Sequence, residues 1–260
     1  MTDKKTPKPV TAISPTAAWL SIAAVITYQV LLIALIFIRP DLDPSCHTIS
    51  EWAIGPHGWI MSLAFVISAA SYGSLFVAIK SQVQGIWGKI GLGILLICTI
   101  GTVGVGVFTT DPMTVVSGPM TAENALSTTG TLHIIFDGSA LMLLPFAALL
   151  LNLNLARKNE AWATARRALL WTAGLPLLGL VGFVVHMAIF LIPLGENAYG
   201  PGVPIGWPPR FLFLTYMVWL ITLAWQALKL RGEKTRVVTR TSGAKSVETR
   251  CVNEVSTVTR

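Results

Sequence analysis

Charged side chains are scarce in this sequence of 260 residues: they make up 12% of it, whereas hydrophobic residues make up 53%. A soluble domain carries about one quarter charged residues. The positive mean hydropathy of +0.66 points in the same direction. The scarcity of charge therefore excludes an ordinary soluble domain and predicts an integral membrane protein.

Cysteine is also rare, and the three cysteines are far apart: Cys46, Cys98 and Cys251. None has a second cysteine at metal-ligand spacing, and the helices predicted below place the three in different compartments, so no intramolecular disulfide is expected. Strong catalytic signatures are missing as well. The sequence has no HExxH zinc motif, no GxSxG nucleophile turn and no phosphate-binding P-loop. No cofactor is evident from these patterns.

Long apolar runs take the place of the missing charge. A helix needs about 20 predominantly apolar residues to cross roughly 30 Å of hydrocarbon. Six segments meet this requirement and predict an all-α bundle of six transmembrane helices: residues 17–38, 58–79, 90–108, 132–155, 168–193 and 211–230. The predicted organisation is a cytoplasmic tail (1–16), a membrane domain (17–230) and a disordered basic cytoplasmic tail (231–260).

The positive charges fall mainly on one side of these helices. If both termini are cytoplasmic, 17 of the 19 lysines and arginines lie inside, and Arg39 and Arg210 lie outside. Cytoplasmic loops are enriched in lysine and arginine. The net charge of +7 is therefore an orientation signal and not a footprint for nucleic acid. The charge distribution and the six spans together predict a multi-pass protein of the plasma (inner) membrane. Membrane lipids are its expected partners, and its oligomeric state is unknown.

Most of the remaining ionisable residues gather on the predicted outer side, in the longer loops or the outer halves of the spans. All four histidines belong to this set. Its members are Asp41, Asp43, His47, Glu51, His57, Asp111, His133, Asp137, His186, Glu196 and Arg210. An ionisable group within the membrane is costly and therefore usually has a partner or a function. The inner halves of the spans contain few polar groups, which disfavours a continuous transport path.

His133 and Asp137 form the best-defined pair in this set. Because they are four residues apart on a predicted helix, their side chains share one face and can orient each other. An unpaired carboxylate below the headgroups would be costly, so Asp137 needs a proton or a partner, for which His133, His186 and Arg210 are candidates. If a metal ion is bound, its expected ligands are His133, Asp137 and His186.

Several short motifs occur in a characteristic order relative to the spans: SE at 50–51, GPHGW at 55–59, FTTDP at 108–112, GTLH at 130–133 and Arg210. In these features the sequence resembles domain-of-unknown-function family 998, over approximately residues 19–230. That family comprises bacterial and archaeal membrane proteins with six predicted spans. The resemblance implies the fold but no established activity, and it points to four residues: Glu51, Asp111, His133 and Arg210. Asp137 and His186 are not part of the family pattern.

The favoured function is structural, sensory or lipid-organising. In it, the polar residues of the outer side lock the loops together by pairing Glu51 and Asp111 with Arg210 and His133. The alternative is a hydrolase or transferase, possibly metal-dependent, that acts on lipid at the outer leaflet. Its candidate catalytic residues are Glu51, Asp111 and His133. The supporting polar network would then comprise Arg210, Asp137 and His186. A small transporter is a third, less favoured possibility, because the polar residues are one-sided.

Overall fold

A computed structural model of the protein describes residues 13–113, 125–199 and 202–230. Within these ranges the fold is all-α, and six helical segments are long and apolar enough to cross a membrane. The prediction of an all-α, six-span membrane bundle is therefore confirmed. Of the predicted tails, residues 1–12 and 231–260 lie outside the described residues.

The helices are named in chain order: α1 (Pro15–Ile38), α2 (Gly58–Ile79), α3 (Gly85–Val107), α4 (Thr128–Lys158), α5 (Arg166–Ala173), α6 (Leu175–His186) and α7 (Trp207–Leu230). Several helices begin before the apolar run that predicted them, because hydropathy detects only the apolar part of a helix. The start of α4 shows this: Ser127 is its N-cap, and the Ser127 hydroxyl accepts a hydrogen bond from the Gly130 N–H at 2.9 Å. The polar first turn of α4 therefore belongs to the helix.

The helix ends form two different regions. The long-loop end of the bundle carries residues 39–57, 108–113, 125–127, 192–199 and 202–206, and the short-loop end carries residues 80–84 and 159–165. Between them, α3 lies close against α4 through glycines. A Cβ atom at Gly101 would lie 2.6 Å from the Ser139 hydroxyl, and one at Gly104 would collide with the Phe136 ring. Small residues allow this close packing between membrane helices.

The fifth span is interrupted, whereas the sequence predicted one continuous helix. α5 ends before Gly174, and Pro176 follows in the first turn of α6. A π-helical turn, Met187–Leu191, continues α6 and leads into a 3-10 segment, Ile192–Tyr199. Buried residues make up 17% of this span, against 33–44% in the other five. The fifth span is thus the most exposed of the six spans.

Asn152 joins three helices in the half of the bundle near the short-loop end. Its side-chain amide donates to the Leu169 carbonyl at 2.9 Å and to the Thr172 hydroxyl at 3.1 Å, both in α5. Its carbonyl oxygen accepts from the Trp219 indole N–H of α7 at 3.0 Å. The amide nitrogen and the carbonyl oxygen of Asn152, a polar residue in the apolar part of α4, are therefore both engaged in holding helices together.

Asn154 and Asn159 fix the connection between α2 and α3 in a similar way. Asn154 both donates to the Gln84 carbonyl at 2.6 Å and accepts from the Gln84 N–H at 3.0 Å. Asn159 donates to the Gln82 carbonyl at 2.9 Å. Backbone groups next to a membrane helix need such partners where water is scarce. The short-loop end is therefore closed by asparagine side chains.

Asn152 and Trp219 should contribute to stability as a coupled pair. We expect Asn152→Leu and Trp219→Phe each to lower the melting temperature of the detergent-solubilised protein, because each leaves a buried polar group without its partner. In a double-mutant cycle their interaction energy should be about 0.6–1.7 kcal/mol, the range found between membrane helices. Strictly additive losses would contradict the coupling.

Candidate site at the long-loop end

Arg39 organises the first long loop. It directly follows α1 and is 8% exposed. Its Nε and Nη2 atoms donate to the Asp41 carboxylate at 2.9 and 2.7 Å, and Nη1 donates to the carbonyls of Ile54 and Pro56 at 2.8 and 2.9 Å. The hydrogen bonds between the two side chains lower the pKa of Asp41 and raise the pKa of Arg39. From the sequence, Arg39 could be identified only as a positive charge on the outer side, and its role in holding the loop could not be predicted.

The GPHGW motif forms the corner that Arg39 holds. Gly55 and His57 both have positive φ angles, +75° and +63°. Glycine adopts this conformation readily, whereas a histidine there is uncommon. A Cβ atom at Gly58, the first residue of α2, would collide with the Ala53 carbonyl. The corner therefore leaves no space for a side chain at Gly58, and its positive φ angle favours glycine at Gly55.

Arg210 attaches α7 to the same loop. Its Nη1 atom donates to the carbonyls of His47 and Gly206 at 3.0 and 2.6 Å, and its guanidinium lies over the Trp52 ring at 4.8 Å from the ring centre. The Nε and Nη2 atoms are buried and have no hydrogen-bond partner among the described residues. Arg210 thus binds the loop through backbone carbonyls and an aromatic face.

Two further contacts join the loop to the start of α7. The Gly206 N–H donates to the Ser45 carbonyl at 2.9 Å, and the Trp207 indole N–H donates to the Ser45 hydroxyl at 3.2 Å. A Cβ atom at Gly206 would collide with the Pro44 carbonyl and lie 2.7 Å from that of His47. The backbones meet so closely that residue 206 has no room for a side chain.

Glu51 links the first loop to the chain that follows α3. One carboxylate oxygen accepts from the Thr48 N–H at 2.8 Å and from the Thr48 hydroxyl at 3.2 Å. The other accepts from the Met113 N–H at 3.3 Å. These hydrogen bonds occupy both oxygens of the carboxylate, so the Glu51 side chain bridges two loops.

Asp111 fixes the beginning of α4. Its carboxylate accepts from both the N–H and the hydroxyl of Ser127, each at 2.8 Å, and lies directly against Gly130. A negative charge at a helix N-terminus is favourable because the first N–H groups have no partner within the helix. The expected ion pairs of Glu51 and Asp111 with Arg210 and His133 do not form: within the described ranges the one ion pair is Arg39–Asp41.

His133 connects α4 to the end of α3. The residue is 2% exposed, and its Nδ1 atom lies 2.6 Å from the Phe108 carbonyl oxygen. A carbonyl can only accept, so Nδ1 carries a proton and donates. Its Nε2 atom is buried and has no hydrogen-bond partner in the described part of the chain. In the neutral ring this atom presents a free lone pair.

A cavity of about 160 Å³ lies between α4, the fifth span, α7 and the first loop. Its lining is mostly apolar and includes Leu141, Met187 and Phe213. Asp137 is the one ionisable residue in the lining, and it has no hydrogen bond or ion pair with any residue that the structure describes. An unpaired carboxylate in apolar surroundings is costly, so this cavity needs an explanation.

Other polar groups without partners lie near this cavity. His133 interacts electrostatically with Asp137, and Tyr28 interacts electrostatically with both Asp137 and Arg210. The Tyr28 ring contacts Phe213 with ring centres 6.3 Å apart. Its hydroxyl is buried and has no partner within the described residues. Tyr28 could not be identified from the sequence, because a tyrosine in an apolar helix gives no local signal of function.

His186 lies apart from this group. Its ring stacks on Phe190 with ring centres 5.0 Å apart, and it does not line the cavity. The proposed metal ligands His133, Asp137 and His186 are therefore not brought together. Over residues 13–113, 125–199 and 202–230, no group of three or more His, Cys, Asp or Glu side chains is arranged to hold a metal ion.

Comparison with known proteins identifies one family. A family model described as "Protein of unknown function (DUF998)" matches residues 21–226. The matched range contains every site residue from Tyr28 to Arg210. No curated protein and no solved structure matches the chain.

Gly206 offers a direct test of how the first loop is attached to α7. Gly206→Ala should lower the melting temperature, because the new methyl group has no space against the Pro44 carbonyl, and such overpacking costs about 1–3 kcal/mol. The matched control is Gly182→Ala in α6, where an added Cβ meets no atom within 4 Å. Equal melting temperatures for the two variants would show that the close approach at Gly206 is unimportant.

Proposed function

We propose that this chain, which belongs to the DUF998 family, is a ligand-binding membrane protein that holds a small amphipathic molecule in the Asp137 cavity. Its role would be sensory or lipid-organising. The observation that carries the proposal is the unpaired Asp137 carboxyl in the lining of an otherwise largely apolar cavity. The loops held by Arg39 and Arg210 would form the roof over the ligand.

The energetics of burial support a polar partner for Asp137. Buried polar groups in proteins are nearly always paired with protein groups or with ordered water. Here the Tyr28 hydroxyl and Nε2 of His133 are buried without a partner in the described residues. The half-buried Asp137 carboxyl, which of these three groups is the one in the cavity lining, has no partner there either. Leaving one such group unpaired costs about 1–3 kcal/mol, so a ligand that satisfies even one of them gains binding energy.

The dimensions of the cavity limit the size of the ligand. An apolar protein cavity of about 150 Å³ is large enough to bind benzene. The Asp137 cavity, at about 160 Å³, therefore accommodates one six-membered ring or a short acyl segment, with a polar group at Asp137. Met187 and Leu191 line it from the π-helical turn of the fifth span, the most exposed of the six, so a ligand arriving from the lipid would have to pass only this span.

The alternative of a lipid hydrolase or transferase receives less support. It is favoured by Nε2 of His133, which could act as a general base near Asp137. The other two candidate catalytic residues, Glu51 and Asp111, already use their carboxylates to accept hydrogen bonds from the loops and the α4 N-terminus. A structural role accounts for both of them.

We also propose that the long-loop end faces outward from the plasma membrane and that both termini are cytoplasmic. The support is the charge distribution. Six basic residues lie at or near the short-loop end: Lys80, Lys89, Arg157, Lys158, Arg166 and Arg167. At the long-loop end, Arg39 and Arg210 are both engaged in structural hydrogen bonds. Lipids would contact the large exposed apolar side chains of the spans.

Ligand binding can be measured with 4-fluorobenzyl alcohol, a molecule with one ring and one hydroxyl group, by fluorine NMR in non-ionic detergent. We expect saturable binding to the wild-type protein. Leu141→Trp should abolish it, because the indole fills the cavity that Leu141 lines.

The matched control is Met142→Trp, which places the same side chain on the neighbouring residue, 38% exposed on the outside of the bundle. It should bind the probe as the wild type does. If Leu141→Trp does not fold, Met187→Trp blocks the cavity from the fifth span. Equal binding by folded cavity-blocked and control variants would contradict a site in the Asp137 cavity.

The orientation can be tested with the native cysteine at the long-loop end. Cys46 is a free, half-buried thiol, whereas Cys98 is fully buried. In Cys251→Ser protein, a membrane-impermeant maleimide added to intact cells should label Cys46. A variant that lacks Cys46 and Cys251 but carries Thr164→Cys, at the exposed short-loop end, should react only after permeabilisation. The reverse pattern would invert the proposed topology.

A further inference from the structure

We infer that the ligand of the Asp137 cavity is a cationic amine, with a protonated nitrogen at Asp137 and a compact apolar body among the surrounding side chains. This inference rests on the proposed function and adds the chemical class of the ligand. Its basis is the type of polar atom around the cavity, the lack of a counter-charge for Asp137 and the aromatic character of the lining.

Two acceptor groups without partners lie one helical turn apart on α4: the Asp137 carboxyl, which lines the cavity, and Nε2 of His133, which is buried behind the lining. An ionised carboxylate at Asp137 can only accept. In the neutral His133 ring, Nε2 is also an acceptor, because the ring proton is on Nδ1, where it binds the Phe108 carbonyl. Residues four apart on a helix project from the same face. An ammonium group has three N–H donors and no acceptor, so it matches this pair.

The neighbouring arginine does not supply the missing charge. Arg210 forms no ion pair with Asp137; its guanidinium donates to loop carbonyls and lies over the Trp52 ring. Its electrostatic interactions with carboxylates involve Asp43 and Glu51. When Asp137 is ionised, it therefore has no counter-charge from the described chain, and a cationic ligand would provide one. An anionic ligand would place a second negative charge in the same apolar space.

Aromatic rings complete a site suited to an amine. Phe65, Phe183 and Phe213 all line the cavity. The face of an aromatic ring attracts a cation, and this attraction is stronger when water is excluded. The rings also provide apolar surface for the body of the ligand. The cavity lining thus provides one carboxylate for the charged nitrogen and three aromatic rings.

Three probes of equal size separate charge from shape: 4-fluorobenzylamine, which is protonated at pH 7, 4-fluorobenzyl alcohol and 4-fluorobenzoate. We expect the amine to bind about tenfold more tightly than the alcohol, because a charge-assisted hydrogen bond is roughly twice as strong as a neutral one. The benzoate should not bind measurably. Fluorine NMR titration in non-ionic detergent gives the three dissociation constants.

Variants assign the preference to one carboxylate. Asp137→Asn should reduce the affinity for the amine by about tenfold, to the level of the alcohol, and leave alcohol binding nearly unchanged. Asp43→Asn is the matched control: it removes the same charge from an exposed loop residue at the same end of the bundle and should leave all three constants unchanged.

The outcomes separate the two levels of the proposal. If the alcohol binds as tightly as the amine, or the benzoate binds most tightly, the inference of an amine ligand is overturned, while the cavity remains a ligand site. If none of the probes binds the folded wild-type protein, both the amine ligand and a cavity ligand of this size are overturned. The comparison of probes on the wild type decides the matter even if Asp137→Asn does not fold.

Discussion

The structure depends on one constraint: polar groups at and below a membrane surface must be satisfied by the protein itself, because little water reaches them. At the long-loop end, Arg39 and Arg210 supply hydrogen-bond donors to carbonyl groups of a loop that has little regular structure of its own. At the short-loop end, Asn154 and Asn159 do the same for the α2–α3 connection. Asp137 is the conspicuous departure from this rule.

The helices could be predicted from the sequence, because crossing a bilayer imposes a length and a hydropathy that a single segment displays. The interruption of the fifth span could not be predicted in the same way. Gly174 and Pro176 are both compatible with a continuous membrane helix, in which glycine and proline are common. The π-helical turn at Met187–Leu191 lies beside the cavity, with Met187 and Leu191 in the lining, and no local sequence pattern indicates it.

For the candidate site, the ionisable residues that are costly to bury could be identified from the sequence, but their hydrogen-bond partners could not. Glu51, Asp111, His133 and Arg210 all lie at the long-loop end, as the motif order predicted. Their partners are nevertheless mostly backbone groups, often distant in the chain: Arg210 binds the carbonyl of a residue 163 positions away. Backbone carbonyls are present at every residue and leave no trace in a sequence. The types of side chain therefore suggested ion pairs, whereas in the fold these side chains mostly form hydrogen bonds with backbone groups.

The roof of loops and the cavity are parts of one unit. Thr48 and Ser50 line the cavity. In the same short segment, Thr48 also donates to Glu51, and the His47 carbonyl accepts from Arg210. On the other side, Pro209 and Phe213 line the cavity on either side of Arg210 in the chain. A molecule that fills the cavity would contact both surfaces that Arg210 joins. Any ordering of the loops by a bound ligand would be matched by tighter binding when the loops are ordered, because coupling between two sites is reciprocal.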